Sequence, residues 1–120
     1  MARLNQYEFV IVNLDPTIGK EIRKTRPCIV ISPNEMNWHL ETVLIAPLTT
    51  VKRSYPSRVE VKYNRKKGYV VLDQLRTVDR QRVSPTGKKA GSAEITAIKS
   101  VLYDMPVSYT HLTLPTNREV

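Results

Sequence analysis

Short apolar runs separated by proline, glycine or charge repeat along the first two-thirds of the chain. They cover Tyr7–Leu14, Cys28–Ile31, Thr42–Pro47, Ser57–Val61 and Gly68–Leu72. Most are rich in valine and isoleucine, which suits β-strands. Val59-Glu60-Val61-Lys62-Tyr63 alternates with period two, the mark of a strand with one face in water. Strands this short and this closely spaced predict a small antiparallel barrel or curled sheet. Asn34-Glu35-Met36-Asn37, just after Pro33, predicts a brief helical turn. Late in the chain the period changes. Ile95, Ile98 and Leu102 share one face of a helix over Ala93–Tyr103, with Ser92 as its N-cap. Pro106 interrupts that pattern, so the helix is expected to stop there. The reading is therefore mainly β with a C-terminal helix.

The segment Leu14–Pro33 joins two strand-like runs. Asp15-Pro16-Thr17 predicts a turn, and Gly19 permits a backbone reversal. The loop Lys20–Arg26 holds four basic residues and one acid. Pro27 then enforces an extended exit into Cys28-Ile29-Val30-Ile31. A charged loop pinned between strands presents guanidinium and carboxylate groups beside a surface cleft, an arrangement that suits a polyanion.

Composition sharpens this picture. The chain has 120 residues, enough for one domain with a small core. We divide it into a domain over residues 1–105 and a tail over residues 106–120. The tail lacks helical periodicity and resembles translated vector or adaptor sequence; a genuine short strand with a flexible end is the alternative. Formal charge is +8, with the basic excess in the middle of the chain. Such an excess favours nucleic acid, and a solvated basic surface is the alternative. Cys28 is the sole cysteine. Its place in an apolar strand predicts a buried hydrophobe, consistent with a reducing cytoplasm. No run has signal-peptide or membrane-spanning length, so a cytoplasmic protein with no membrane partner is expected.

Metal chemistry finds little support. His39, His111 and Cys28 are not paired at ligand spacing, and Glu21, Asp73 and Asp79 form no clustered acidic motif. The glycines are too scattered for a phosphate loop. No cofactor is expected. RNA, however, carries its own nucleophile, the 2′-hydroxyl. A protein that cuts it must take a proton, stabilise charge on the phosphoryl oxygens and protonate the leaving 5′-oxygen. Guanidinium forks and hydroxyl donors serve the charge.

Three motifs stand in order along the chain. They are Leu14–Pro33 (LDPTIGKEIRKTRPCIVISP), Ala46-Pro47-Leu48-Thr49-Thr50, and Leu72–Arg82 (LDQLRTVDRQR). Together they resemble the MazF/PemK/Kid family of toxin endoribonucleases over about residues 4–104. The resemblance implies an SH3-like barrel with a C-terminal helix. It implies a metal-independent, sequence-specific endoribonuclease that leaves a 2′,3′-cyclic phosphate and a 5′-hydroxyl on single-stranded mRNA. It also implies a homodimer and an acidic antitoxin partner.

By resemblance Arg26, Thr49 and Glu21 are the catalytic residues. Arg26 would hold the phosphate and the transition-state charge, since a guanidinium with a pKa above about 12 is a poor base. Thr49 would donate to a phosphoryl oxygen, and Glu21 would orient or deprotonate the 2′-hydroxyl. Lys20, Arg23, Lys24, Thr50, Arg53, Gln74 and Arg76 are the expected RNA contacts. Asp73 and Asp79 read better as structural carboxylates, and Trp38 as a packed side chain. Two positions depart from the family: Tyr7-Glu8 replaces a common Gly-Asp, and Lys20 replaces a common serine. The second removes a hydroxyl and adds a cation. A non-catalytic nucleic-acid-binding barrel and a gyrase-directed toxin of the same fold are the rival readings.

Overall fold

β1 (Glu8–Asn13), β2 (Thr25–Val30) and β3 (Thr42–Thr49) form the spine of the computed structural model. It describes residues 3–13, 25–52, 55 and 57–113, with side chains through Asp104. The remaining elements are α1 (Asn34–Asn37), β4 (Arg58–Tyr63), β5 (Lys66–Val71), β6 (Arg76–Asp79), β7 (Val83–Lys89) and α2 (Ser92–Thr113), with 3₁₀ turns at Leu72–Gln74 and Arg80–Arg82. All strand pairs are antiparallel. The sheet runs β4-β5-β3-β2-β1-β7, and β6 joins β3 beside β5. The result is a curled half-barrel closed by a C-terminal helix, as the pattern of short strands predicts.

Both faces of the spine are apolar, which explains why β1 and β2 read as continuous hydrophobic runs. Val10, Val12, Cys28, Val30, Val43, Ile45 and Val78 cluster on one face with Leu4. Phe9, Ile29, Ala46, Leu48, Val59, Val61, Val70 and Ile98 cluster on the other. Partners in register share a face, so Val10 lies with Cys28 and Phe9 with Ile29. β4 alternates because Val59 and Val61 are buried while Glu60 and Lys62 are exposed. Each fully buried aliphatic side chain contributes roughly 1.5–3 kcal/mol of burial.

β6 and β7 were not foreseen. β7 holds Pro85 and Gly87, which read as punctuation in a sequence. Here they sit at a bulge, where the pairing shifts from Phe9–Lys88 to Val10–Pro85. Gly87 has φ 79°, a conformation that glycine adopts without strain. The buried Glu8 fastens the bulge, accepting from the Gly87 N–H at 3.1 Å and the Asn5 N–H at 3.1 Å. The departure to Tyr7-Glu8 thus has a structural use.

α2 corrects two expectations. Gly91, not Ser92, is the cap: its carbonyl accepts the first helical bond from Ile95 at 2.8 Å. Glu94 reaches back to the Gly91 N–H at 3.0 Å, as in a capping box, and also accepts from the Lys62 N–H at 2.8 Å. The second correction is that the helix does not end at Pro106 but continues to Thr113. A proline deletes one backbone bond and bends a helix, and neighbouring residues on both sides keep their own bonds. Ile95, Ile98 and Leu102 pack on the core, as their spacing predicts.

α1 occupies its predicted place. The buried Asn37 amide donates to the Ser32 carbonyl at 2.8 Å and accepts from its hydroxyl. Trp38 packs over the N-terminal segment, donating to the Leu4 carbonyl at 2.9 Å with the Arg3 guanidinium 4.7 Å above its ring. No helix among the described residues is long and apolar enough to cross a membrane.

Candidate nucleic-acid cleft

The cleft begins where a ladder stops. β2 pairs with β3 only over Cys28–Val30, ending at the Cys28–Pro47 pair. β2 continues back through Pro27 and Arg26 to Thr25, but there it pairs with β1 alone. Pro27 and Pro47 have no N–H to give, so neither extends the ladder beyond this point. The two strands therefore part, and Arg26 and Thr49 stand on opposite sides of the gap. On its other edge β3 remains bound to β5 through Leu48–Val70 and Thr49–Tyr69.

The resulting cleft has a volume of about 460 Å³. Its walls are Thr25, Arg26 and Pro27 from β2, and Leu48, Thr49 and Thr50 at the end of β3. Tyr63, Asn64, Lys66, Lys67 and Gly68 form a third wall at the β4–β5 hairpin. Gly68 is a close approach: a Cβ there would lie 3.4 Å from the Thr49 carbonyl oxygen. Among the described residues no carboxylate lines the cleft.

Thr49 is chemically poised. Its Oγ1 accepts from the Val51 N–H at 3.2 Å, so its proton remains available for a ligand. Arg26 has no carboxylate partner among the described residues. The Cys28 thiol lies behind it, donating weakly to the Arg26 carbonyl at 3.5 Å. Burial pushes that thiol up to about 12, and the charges of Arg26 and Arg76 oppose the shift. Both guanidiniums are therefore within electrostatic reach of Cys28.

The structure thus brings Arg26, Thr49 and Thr50 to one cleft. Arg76 is exposed at the start of β6, opposite Ile45, and Gln74 is exposed in the 3₁₀ turn before it; neither lines the cleft. Lys20, Glu21, Arg23, Lys24 and Arg53 lie outside the described residues. Asp73 is structural, accepting from Ser57 Oγ at 2.9 Å and pairing with Arg58 at 3.4 Å. Asp79 accepts from the Gln81 N–H at 2.8 Å and caps a short turn. Sequence reasoning missed the hairpin wall. Its signal was Asn64, a residue that tolerates left-handed backbone, between two strand-like runs.

Residues 5–105 match a family described as the PemK-like, MazF-like toxin of type II toxin–antitoxin systems. The chain belongs to this family. It is similar to the endoribonuclease toxin MazF of Escherichia coli K12, with 31% identity over 71 residues, 59% of this chain and 64% of that protein. The chain thus spans under two-thirds of that relative's length. It is also 31% identical over 78 residues to the Bacillus subtilis endoribonuclease EndoA, of which the match covers 67%. Among solved structures, a MazE–MazF crystal form from Deinococcus radiodurans superposes with a TM-score of 0.75 at 23% identity. It covers 89% of this chain and 98% of its own. At that identity the likeness concerns the fold.

Proposed function

We propose that this protein is the toxin of a type II toxin–antitoxin pair. On this reading it is a metal-independent endoribonuclease that cuts single-stranded mRNA in the cytoplasm. The observation that carries the proposal is the parting of β2 and β3, with Arg26 on one side of the cleft and Thr49 on the other. Named endoribonucleases among the relatives support the same reading.

The chemistry needs no nucleophile from the protein. The ribose 2′-hydroxyl, losing its proton, attacks the adjacent phosphorus; the bond to the 5′-oxygen breaks, that oxygen takes a proton from solvent water, and a 2′,3′-cyclic phosphate and a 5′-hydroxyl result. Negative charge builds on the phosphoryl oxygens during attack. Arg26 offers forked, charge-assisted donors to those oxygens. Thr49 donates its hydroxyl proton to one of them, its acceptor side being held by the Val51 N–H. Glu21 takes the 2′-hydroxyl proton, and Lys20, Arg23, Lys24, Thr50, Arg53, Gln74 and Arg76 hold neighbouring nucleotides.

A homodimer that binds an acidic antitoxin segment completes the proposal. The chain carries a formal charge of +8, and structures similar to this one include MazE–MazF complexes. An acidic segment laid in the cleft would exclude RNA by charge and by volume. End-group analysis of purified RNA after incubation with the protein tests the reaction. Cyclic phosphate and 5′-hydroxyl ends are expected; intact RNA, or 5′-phosphate ends, would refute it.

A further inference from the structure

We infer that the tip of the β4–β5 hairpin is a second phosphate subsite, in which Lys66 and Lys67 grip the RNA backbone one or more nucleotides away from the cut. This rests on the reading of the cleft as an RNA site and adds a wall to it.

Three observations converge on the tip. Lys66 and Lys67 line the cleft opposite Arg26. Second, the hairpin carries an uncompensated charge. Lys62 and Lys67 stand directly opposite one another in the register, with Arg65 and Lys66 next to them at the turn. Like charges directly opposed across a sheet destabilise it. Glu60 reaches only Lys67, at 3.7 Å, and among the described residues Lys66 makes no ion pair. Third, the turn is strained. Asn64 and Arg65 have φ values of 53° and 63°, the left-handed pair of a two-residue hairpin turn. Glycine is favoured at the second of these positions, and here it holds a charged residue with a Cβ. Strain and repulsion kept together beside a cleft fit an anion that relieves the repulsion when bound.

The tip is also braced. Lys88 of β7 donates to Asn64 Oδ1 at 2.7 Å, tying the turn to the strand at the opposite end of the sheet. Tyr63 packs on Phe9 with ring centroids 5.0 Å apart, which anchors the base of the turn in the core. A braced, cationic tip facing a catalytic wall favours the repeating phosphates of a nucleic-acid strand. An acidic peptide is the competing ligand.

The test uses the full chain and single-stranded oligonucleotides carrying 2′-O-methyl groups, which cannot supply the attacking hydroxyl. Affinity is measured by fluorescence anisotropy across a range of salt. One lost phosphate contact lowers the slope of log affinity against log salt by about 0.7 for a single strand. Lys66→Gln is expected to show that drop, and Lys66→Gln with Lys67→Gln about 1.4. The loss should be equal for oligonucleotides of different sequence, because phosphate carries no base information. Arg65→Gly, which relaxes the turn, is expected to raise the thermal midpoint while weakening affinity severalfold. A wild-type slope in the folded double variant would overturn the subsite, as would a loss confined to one sequence. So would a loss of acidic-peptide binding with RNA binding intact. The two readings separate cleanly: wild-type protein that binds with the expected slopes yet leaves RNA uncut refutes the nuclease and keeps the subsite. Protein that cuts RNA with slopes unchanged in the variants does the reverse.

Discussion

Cys28 shows how much one side chain's neighbours matter. It is fully buried, and desolvation raises its thiol to about 12 despite the nearby Arg26 and Arg76 charges. A folded-state value above the ordinary one means the native state holds the proton more tightly. Stability from this group is complete below the ordinary value of 9.0 and is lost as pH rises from there towards about 12. Chemical denaturation of wild type should therefore steepen its decline across that window relative to Cys28→Ala, and parallel curves would contradict the account. The thiol's burial was legible from its place in an apolar run. Its proximity to Arg76 was not, because β6 meets β3 only through long-range pairing. Thr49 lends itself to a finer test. Thr49→Ala removes a neutral donor, so single-turnover cleavage should slow, but by less than a lost guanidinium would cost.

At the scale of elements, the strands with unbroken or alternating apolar runs were legible, and so was the face of α2. β7 was hidden because Pro85 and Gly87 serve a bulge, and β6 because four residues carry little periodicity of their own. The cleft was half legible. The β2 and β3 walls stand on motifs, whereas the hairpin wall depends on where β5 docks. Carboxylates join these elements. Asp73 holds Ser57 and the largely buried Arg58 against the 3₁₀ turn. Asp73→Ala should cost about 1–2 kcal/mol, since it strands a desolvated guanidinium. Glu94→Ala frees the N–H groups of Gly91 and Lys62 and should cost about 1 kcal/mol, with α2 loosening from β4. Urea titration measures both, and unchanged midpoints would show these carboxylates to be ornamental.

For the whole molecule, among the residues whose side chains the structure describes, Ile95, Ile98, Val101 and Leu102 fasten α2 to the core. Residues 107–120 carry no apolar helical periodicity in the sequence, so their removal is expected to leave the thermal midpoint within a few degrees of wild type. A drop of more than about 10 °C, beyond roughly 1–2 kcal/mol in a domain this small, would show that the segment packs on the fold. Two apolar clusters in so short a chain leave modest stability in reserve. A homodimer at micromolar concentration is the expected state by light scattering, and a monomer would contradict it.

The central claim is that Arg26 stabilises charge on a phosphoryl group attacked by RNA itself. Single-turnover cleavage of a labelled RNA by wild type and Arg26→Ala, each with and without EDTA, tests it most directly. The account predicts a rate about 10²–10³-fold lower for Arg26→Ala, with each rate indifferent to EDTA. Wild-type rates from Arg26→Ala, or abolition of wild-type cleavage by EDTA, would contradict it.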